Sequence, residues 1–153
     1  DSCPTADGDH LCWIDADCVV QKPFDDDSME RFLPAKDEIA SYLGREKFPP
    51  PIPYTEGGFV GYALSQDGKN FIEHMLSTYM TGDIFLLPQW HDCMVFDSTR
   101  TLFEGNGFKF KNISGAHSGS DHPFAVSELS EYFDHLKGPE RKKLGYSPER
   151  VAR

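Results

Sequence analysis

Two aspartates interrupt an apolar stretch that has the length of a β-strand. Residues 11–20 read LCWIDADCVV, and only Asp15 and Asp17 break the run. A buried parallel strand is normally a continuous apolar segment, and an unpaired carboxylate is costly to remove from water. We therefore expect both side chains at the carboxyl end of a strand, at the mouth of a site that holds a cation. The alternative is that they cap or turn the end of the strand through local hydrogen bonds.

Length and charge limit what the protein can bind. A chain of 153 residues is long enough for one domain with a substantial core. The net charge of −10 argues against nucleic acid as a partner, because phosphate backbones are bound through clustered lysines and arginines. No apolar run approaches the roughly 20 residues of a membrane span. Six of the fifteen basic residues lie in the last 17 positions, beside only two acidic ones, so that end can hold a small phosphorylated ligand.

The cysteines indicate a reducing compartment. Cys3, Cys12, Cys18 and Cys93 have no CxxC spacing, and three of them lie in or beside apolar segments, as small buried thiols do. The first residues also lack the basic and apolar regions of a signal peptide. We therefore expect reduced cysteines and a cytoplasmic location, with a disulfide between Cys3 and Cys12 as the alternative for a secreted protein.

Periodicity and turn residues predict strands that alternate with helices. The predicted strands after the aspartates are residues 37–43, 54–64 and 108–113. The predicted helices are one capped by Ser65 or Asp67 and ended by Gly82, a short one over residues 89–97, and a last one from Ser127 to just before Gly138. Residues 48–53, with four prolines, predict a stiff connector, and residues 114–122 have the composition of a loop. The glycines of residues 54–64 indicate either close approach by a backbone or a ligand, or a bulged edge strand.

Two further polar groups follow the aspartates along the chain. His91 and Asp92 fall in the first turn of the predicted short helix, where the helix dipole favours a carboxylate. Their alternative role is to cap that helix at the surface. The second group, HLKGPERK, begins at His135 and opens the basic end of the chain.

In this order the three groups resemble the nucleotide-sugar glycosyltransferases of the GT-A type. Ile14-Asp15-Ala16-Asp17 is similar to their DxD motif. His135, Gly138, Arg141 and Lys142 are similar to the HxxGxxK motif of the glycogenin-like retaining families. The segment from Glu56 to Phe59, followed by Trp90-His91-Asp92, resembles the donor-sugar and acceptor segments of small bacterial and phage-type transferases. The resemblance covers about residues 11–145.

The resemblance implies an α/β fold with a GT-A-like mixed sheet flanked by helices. Residues 1–153 would form a single domain that corresponds to the C-terminal part of a longer GT-A domain. A GT-A domain carries its first strands and its pocket for base and ribose before the DxD motif, whereas 14 residues precede Asp15 here. We therefore expect that much of the N-terminal nucleotide-binding half is lacking, and that a preceding segment or a second chain completes the fold.

The resemblance also assigns roles to residues. The expected activity is metal-dependent transfer of a sugar from a nucleotide-sugar, with a UDP-sugar as the expected donor, to a hydroxyl of a glycan or other acceptor. Two carboxylates and a histidine suit Mn²⁺, with Mg²⁺ as the second choice. The expected metal ligands are Asp15, Asp17 and His135; the expected diphosphate-binding residues are Lys137, Gly138, Arg141 and Lys142; and the expected donor or acceptor sugar residues are Glu56, Gly57, Gly58 and His91.

Asp92 is the expected catalytic residue. In an inverting enzyme it would be the base that takes the proton of the acceptor hydroxyl. In a retaining enzyme, which the HxxG-like motif favours, it would position donor and acceptor, and the departing phosphate would take the proton. Which of Arg141 and Lys142 meets the phosphate stays open.

Two other functions are compatible with the sequence. A Mg²⁺-dependent phosphatase of the aspartyl-phosphate type also has a DxD motif at the end of a strand. That class has a small residue and a threonine after the second aspartate, whereas Cys18, Val19 and Val20 follow here. The other alternative is a non-catalytic carbohydrate-binding or protein-binding module derived from a transferase.

Overall fold

The structure, a computed structural model, describes residues 8–45, 54–114 and 122–148. The proline-rich connector, most of the predicted loop at residues 114–122, and Cys3 lie outside the described residues. The strands are β1 (His10–Ile14), β2 (Cys18–Val20), β3 (Glu38–Leu43), β4 (Glu56–Ala63), β5 (Lys109–Asn112) and β6 (Phe133–His135). The α-helices are α1 (Asp26–Glu30), α2 (Gln66–Met80), α3 (Asp92–Gly105), α4 (Pro123–Val126) and α5 (Pro139–Leu144). Two 3₁₀-helices, Asp83–Leu86 and Glu128–Glu131, complete the set.

Four strands form a mixed sheet in the order β1-β4-β3-β5. β4 pairs antiparallel with both β1 and β3, whereas β3 and β5 run parallel. The expected class, an α/β fold with a mixed sheet and helices, is therefore confirmed. β4 lies inside this sheet, so the alternative of an edge strand for residues 54–64 is wrong in its position. The expected bulge is supported, because the pairing of β3 with β4 shifts register between Tyr42 and Leu43.

The aspartate-containing stretch is not one buried parallel strand. It forms β1, a turn and β2; β1 pairs antiparallel with β4, and β2 pairs with β6 in a separate two-stranded sheet. β1 lies at one end of the described four-stranded sheet. Its Leu11 and Trp13 side chains are therefore 51% and 56% exposed, although their apolar character predicts burial.

The core lies on both faces of the sheet. Phe59 and Val60 are consecutive residues of β4, so their side chains point to opposite faces. Phe59 packs in a cluster with Phe124 and Leu129, and Val60 packs in a second cluster with Phe71 of α2 and Phe96 of α3. In the part of the chain that the structure describes, no helix has the length and apolar character to cross a membrane.

The helix predictions have mixed outcomes. α2 begins and ends as expected, because the Ser65 side chain accepts a hydrogen bond from the amide of Gly68 and Gly82 follows in the left-handed conformation. The short predicted helix starts later and runs longer, as α3. The last predicted helix is wrong: a 3₁₀-helix and β6 occupy most of it, because residues 133–135 pair with β2 instead.

Candidate metal centre

A tight turn presents the two aspartates. The amide of Asp15 donates to the carbonyl of Gly58 at 3.1 Å, which extends the pairing of β1 with β4 by one residue. The amide of Cys18 then donates back to the carbonyl of Asp15 at 3.0 Å, the hydrogen bond of a β-turn. Asp15 is thus the first residue of the turn and Asp17 the third, and both side chains remain partly exposed.

The pairing of β2 with β6 brings His135 to this turn. Cys18 is opposite His135 in the antiparallel register, and the amide of Leu136 donates to the carbonyl of Asp17 at 3.0 Å. Nε2 of His135 lies 3.0 Å from Oδ1 of Asp17 and 3.4 Å from Oδ2 of Asp15. One ligand atom from each of the three residues lies within 4.8 Å of the others.

The His135 imidazole is buried and neutral. Its ring packs beside Phe124 at 5.1 Å and His122 at 5.3 Å between ring centroids. Burial, with a smaller contribution from the neighbouring His122, lowers the pKa of His135 to about 4, and the Asp17 carboxylate only partly opposes them. At neutral pH the ring is therefore uncharged and has a nitrogen lone pair to offer as a ligand.

Asp17 already has a cationic neighbour. Nζ of Lys142, on α5, lies 2.9 Å from Oδ2 of Asp17. Burial raises the pKa of Asp17, but the hydrogen bond and the positive charge of Lys142 outweigh it, so the pKa is lower than usual. Asp17 is therefore a carboxylate at neutral pH.

The ligand set has the chemistry of a divalent cation site. Carboxylate oxygens suit Mg²⁺ and Mn²⁺, and an imidazole nitrogen shifts the preference towards a transition metal. Two oxygen ligands and one neutral imidazole therefore fit Mn²⁺ better than Mg²⁺. All three expected metal ligands lie in this one cluster.

The expected diphosphate residues lie on the turn after β6 and on α5. Gly138 has φ +87°, which lets the chain turn from β6 into α5. Lys142 faces Asp17, whereas Arg141 donates to the carbonyl of Lys137 at 3.0 Å. Nζ of Lys137 lies 2.8 Å from Oε1 of Glu56. Of the four residues, Lys142 is thus the one whose charge contacts the aspartate pair directly.

Consecutive glycines of β4 face two different parts of the site. A Cβ on Gly58 would lie 2.8 Å from Nδ1 of His135, and a Cβ on Gly57 would lie 2.7 Å from Sγ of Cys93 and 3.4 Å from Oδ2 of Asp92. A side chain at either position would collide with its neighbour. The glycines therefore allow His135 on one face of the sheet and the start of α3 on the other to approach β4 closely.

A cavity of about 190 Å³ adjoins Gly57 and the start of α3. Its lining is mostly apolar, and Asp92 contributes a carboxylate. Six of the residues that line it are Trp13, Gly57, Tyr62, Met75, Asp92 and Phe96. A mostly apolar lining with a few polar groups is typical of small-molecule sites.

Trp13 connects this cavity with the aspartates, a role that the sequence analysis missed. Its side chain lines the cavity, and its indole N–H donates to Oδ1 of Asp15 at 3.2 Å. The signal was available, because alternate residues of a strand point to the same face and Trp13 precedes Asp15 by two.

His91 caps a helix, which is the alternative role that the sequence allowed for it. It is the N-cap of α3, and its Nδ1 accepts from the amide of Met94 at 3.3 Å. Its Nε2 lies 2.9 Å from Oε1 of Gln89. Both ring nitrogens are therefore used locally at the helix start, and Asp92 becomes the first residue of the helix.

The described cysteines are free thiols, and those nearest the site are poor nucleophiles. Cys12, Cys18 and Cys93 form no disulfide with one another. Burial raises the pKa of Cys93 to about 11, and the charge of Asp92 adds to this effect. Burial likewise raises the pKa of Cys18 to about 12. Because the thiolate is the reactive form, neither residue suits nucleophilic catalysis at neutral pH.

Glu56, expected to contact a sugar, is buried among basic side chains. Its side chain is 1% exposed, and Arg45 and Lys137 form ion pairs with its carboxylate.

No protein-family model, curated protein or solved structure matches this chain.

Proposed function

We propose that this chain is a metal-dependent glycosyltransferase domain of the GT-A type, which transfers a sugar from a UDP-sugar or similar donor to a hydroxyl acceptor. The convergence of Asp15, Asp17 and His135 within 4.8 Å carries the proposal. These residues come from two distant parts of the sequence, and their types and order match the DxD and HxxG motifs. A buried neutral imidazole beside two carboxylates is suited to a transition-metal cation.

The surrounding residues fit a diphosphate leaving group. The chemistry that a bound divalent cation supplies is neutralisation of the charge that develops on the departing diphosphate. Lys142 would provide a fixed positive charge on the same side, because its ammonium group is already beside Asp17. Arg141, one residue earlier on α5, is the second candidate for a phosphate contact.

The cavity beside Asp92 is the proposed place for the reacting sugar. Trp13 would form its wall next to Asp15, and the Asp92 carboxylate would hydrogen-bond sugar hydroxyls. With retention, Asp92 would position donor and acceptor; with inversion, it would take the proton of the acceptor hydroxyl. Both roles place Asp92 in the sugar site rather than in the metal site.

Calorimetric titration of UDP with and without Mn²⁺ tests the proposal. We expect UDP binding that depends on Mn²⁺ in the unsubstituted full-length protein. Asp17→Asn should abolish the metal-dependent binding and leave the melting temperature nearly unchanged, because Asp17 is partly exposed. Asp27→Asn, which changes an exposed carboxylate of α1, is the matched control and should bind as the unsubstituted chain does.

Two outcomes would contradict the proposal. One is UDP binding that is absent or indifferent to Mn²⁺. The other is full metal-dependent binding by Asp17→Asn. Incubation of the chain with a panel of nucleotide-sugars and Mn²⁺, followed by mass spectrometry of the released nucleotide and sugar, then identifies the donor. A phosphatase would instead release inorganic phosphate from a phosphorylated substrate and leave the nucleotide-sugars intact.

A further inference from the structure

Glu56 is a buried carboxylate at which several basic side chains converge. It is the first residue of β4, and its side chain is 1% exposed. Arg45 forms an ion pair with Oε2, Nζ of Lys137 lies 2.8 Å from Oε1, and Nε2 of His122 lies 3.0 Å from Oε2. A buried carboxylate is costly unless it is paired and hydrogen-bonded. These neighbours therefore explain how Glu56 can be charged inside the protein.

The surroundings of Glu56 do not suit a cation of its own. Glu56, His122 and His135 are close enough to act as ligands. Arg45 and Lys137 already contribute two positive charges at the carboxylate, and they would repel a divalent ion. We therefore infer that Glu56 acts on the side chains around it and is not itself a metal ligand.

His135 lies between Glu56 and the aspartate pair. Its Nε2 faces Asp15 and Asp17, while its Nδ1 lies 3.8 Å from Oε1 of Glu56. Among the residues that the structure describes, this buried Nδ1 has no hydrogen-bond partner. Without a cation, Nε2 can carry the proton and donate it to Oδ1 of Asp17 at 3.0 Å. A cation on Nε2 requires the proton on Nδ1 instead, where a buried donor without a partner is costly. A small movement of the ring would shorten the distance between Nδ1 and Oε1 of Glu56 to about 2.9 Å, the usual N–H···O distance, and give the donor a partner.

We propose that Glu56 is a positioning residue for the metal centre: when a cation binds, Glu56 accepts a hydrogen bond from Nδ1–H of His135 and so favours the tautomer whose Nε2 lone pair faces the cation between Asp15 and Asp17. The inference rests on the proposed function, since it concerns the ligand set assigned there. A metal-binding histidine generally donates its other N–H to a carboxylate or carbonyl, which fixes the ring and raises its basicity as a ligand. Glu56 is the carboxylate on that side of the ring.

The arrangement also explains why Glu56 and Gly58 belong together. Both lie on β4, and both face the His135 ring. The Glu56 carboxylate lies near Nδ1 of His135, and the missing side chain at Gly58 leaves space for the ring, since a Cβ there would lie 2.8 Å from both Cε1 and Nδ1. β4 thus contributes both the orientation of the ring and the room for it.

Titration of the chain with Mn²⁺ alone tests the role of Glu56. Glu56→Gln should bind Mn²⁺ about 10- to 100-fold more weakly, the usual loss when such a partner is removed. The matched control is Asp97→Asn. Asp97 is another buried carboxylate, and it holds the amide and hydroxyl of Thr55, the residue before Glu56, at 2.6 Å each. Its substitution should leave the affinity for Mn²⁺ within about twofold.

The tautomer can be measured with Zn²⁺, a diamagnetic cation that imidazole also binds. Nitrogen-15 NMR of the imidazole ring, assigned with a His135→Gln variant, should show the proton on Nε2 of His135 without metal and on Nδ1 with Zn²⁺. In Glu56→Gln a higher concentration of Zn²⁺ should be needed for the same change. If Glu56→Gln does not fold by circular dichroism, Glu56→Asp, which keeps the charge at a greater distance, takes its place and should also lose affinity for Mn²⁺.

Three results would overturn the proposal. One is a folded Glu56→Gln or Glu56→Asp variant that binds Mn²⁺ as tightly as the unsubstituted chain. Another is an equal loss in Asp97→Asn, because the effect would then be general damage to β4. The third is a His135 ring that keeps its proton on Nε2 at saturating Zn²⁺, because Nε2 would then not be the ligand atom. If the unsubstituted chain bound Mn²⁺ but not UDP, the proposed function would fail, and the comparison of the Glu56 variants would still decide the role of Glu56.

Discussion

Nζ of Lys142 lies 2.9 Å from Oδ2 of Asp17, so a cation from α5 contacts the carboxylate proposed to bind the metal. The two residues are far apart in sequence and meet because β6 pairs with β2 and α5 follows β6 directly. A divalent ion at Asp17 would have to compete with this lysine. The diphosphate of a donor, in contrast, would offer the lysine a new partner.

Lys142→Met should therefore change the binding of metal and of nucleotide in opposite directions. Removing a partly exposed ion pair is worth about 0.2–1 kcal/mol, so calorimetry should show Mn²⁺ alone binding up to about fivefold more tightly. With Mn²⁺ present, UDP should bind about tenfold more weakly or worse, because a hydrogen bond to a charged group is lost.

Lys143→Met is the control for the Lys142 substitution. Lys143 is the next residue of α5 and is exposed, so the same loss of charge occurs without the contact to Asp17. It should leave the affinities for Mn²⁺ and UDP nearly unchanged. Equal effects of the two substitutions would mean that only the overall charge of α5 matters.

Gly58→Ala should displace the His135 ring and so weaken metal binding. The added Cβ would lie 2.8 Å from Nδ1 of His135 and 3.1 Å from Cδ2 of Phe124. Overpacking of this kind costs about 1–3 kcal/mol of unfolding free energy, which urea denaturation would measure. The displaced ring should also reduce the affinity for Mn²⁺ by about tenfold or more, as disturbed ligand orientation does.

Gly105→Ala is the control for Gly58→Ala, because it adds the same methyl group at a position with free space. Gly105 is the last residue of α3, and a Cβ there would meet nothing within 4 Å. The substitution should leave Mn²⁺ binding unchanged and be neutral or stabilising, by at most about 1 kcal/mol, because alanine favours the helix. A Gly58→Ala variant with unchanged Mn²⁺ affinity would show that His135 can move without loss.

Some of the site could be predicted from sequence because its signals are local. Asp15 and Asp17 stand out by their spacing within an apolar run, whatever the rest of the chain does. α2 is similar, since Ser65 and Gly82 mark its ends and its apolar residues recur with helical spacing. In these cases the residues that determine the element are neighbours in the sequence.

The strand that brings His135 to the aspartates could not be predicted from local sequence. Leu129, Tyr132, Phe133 and Leu136 have the spacing of an amphipathic helix, yet residues 133–135 form β6. Their partner strand, β2, lies more than a hundred residues earlier. Pairing with a distant strand overrides local periodicity, because the backbone hydrogen bonds of β6 are made with residues that no local pattern includes.

The exposure of Trp13 and Trp90 could not be predicted from local sequence either. Both are large apolar residues in stretches that predict a core position. Trp13 is 56% exposed on a strand at the end of the described sheet, and Trp90 is 66% exposed just before α3. The helix begins at Asp92 because the His91 side chain caps it, and periodicity alone does not reveal that start.

Trp13→Ala should weaken sugar binding without affecting the metal. The indole ring lines the cavity beside Asp92 and donates to Asp15. Loss of this wall should raise the KM for the nucleotide-sugar about tenfold, equivalent to about 1.4 kcal/mol, with Mn²⁺ affinity within about twofold. Trp90→Ala removes an exposed tryptophan that does not line this cavity and should leave KM unchanged. Similar losses in both variants would argue against the cavity as the sugar site.

The metal-free protein should lose stability as the pH falls from about 6.5 towards 4. Burial lowers the pKa of His135 to about 4. Burial, with the charges of Lys137 and Arg45, lowers that of His122 to about 3, whereas both titrate near about 6.5 when unfolded. Between these values the unfolded state binds more protons, so unfolding free energy rises with pH. At pH 5 each imidazole should cost about 2 kcal/mol relative to pH 7.5. Urea denaturation with a chelator present measures this loss, and His122→Gln should reduce it by about half. An equal loss in that variant would contradict the assignment.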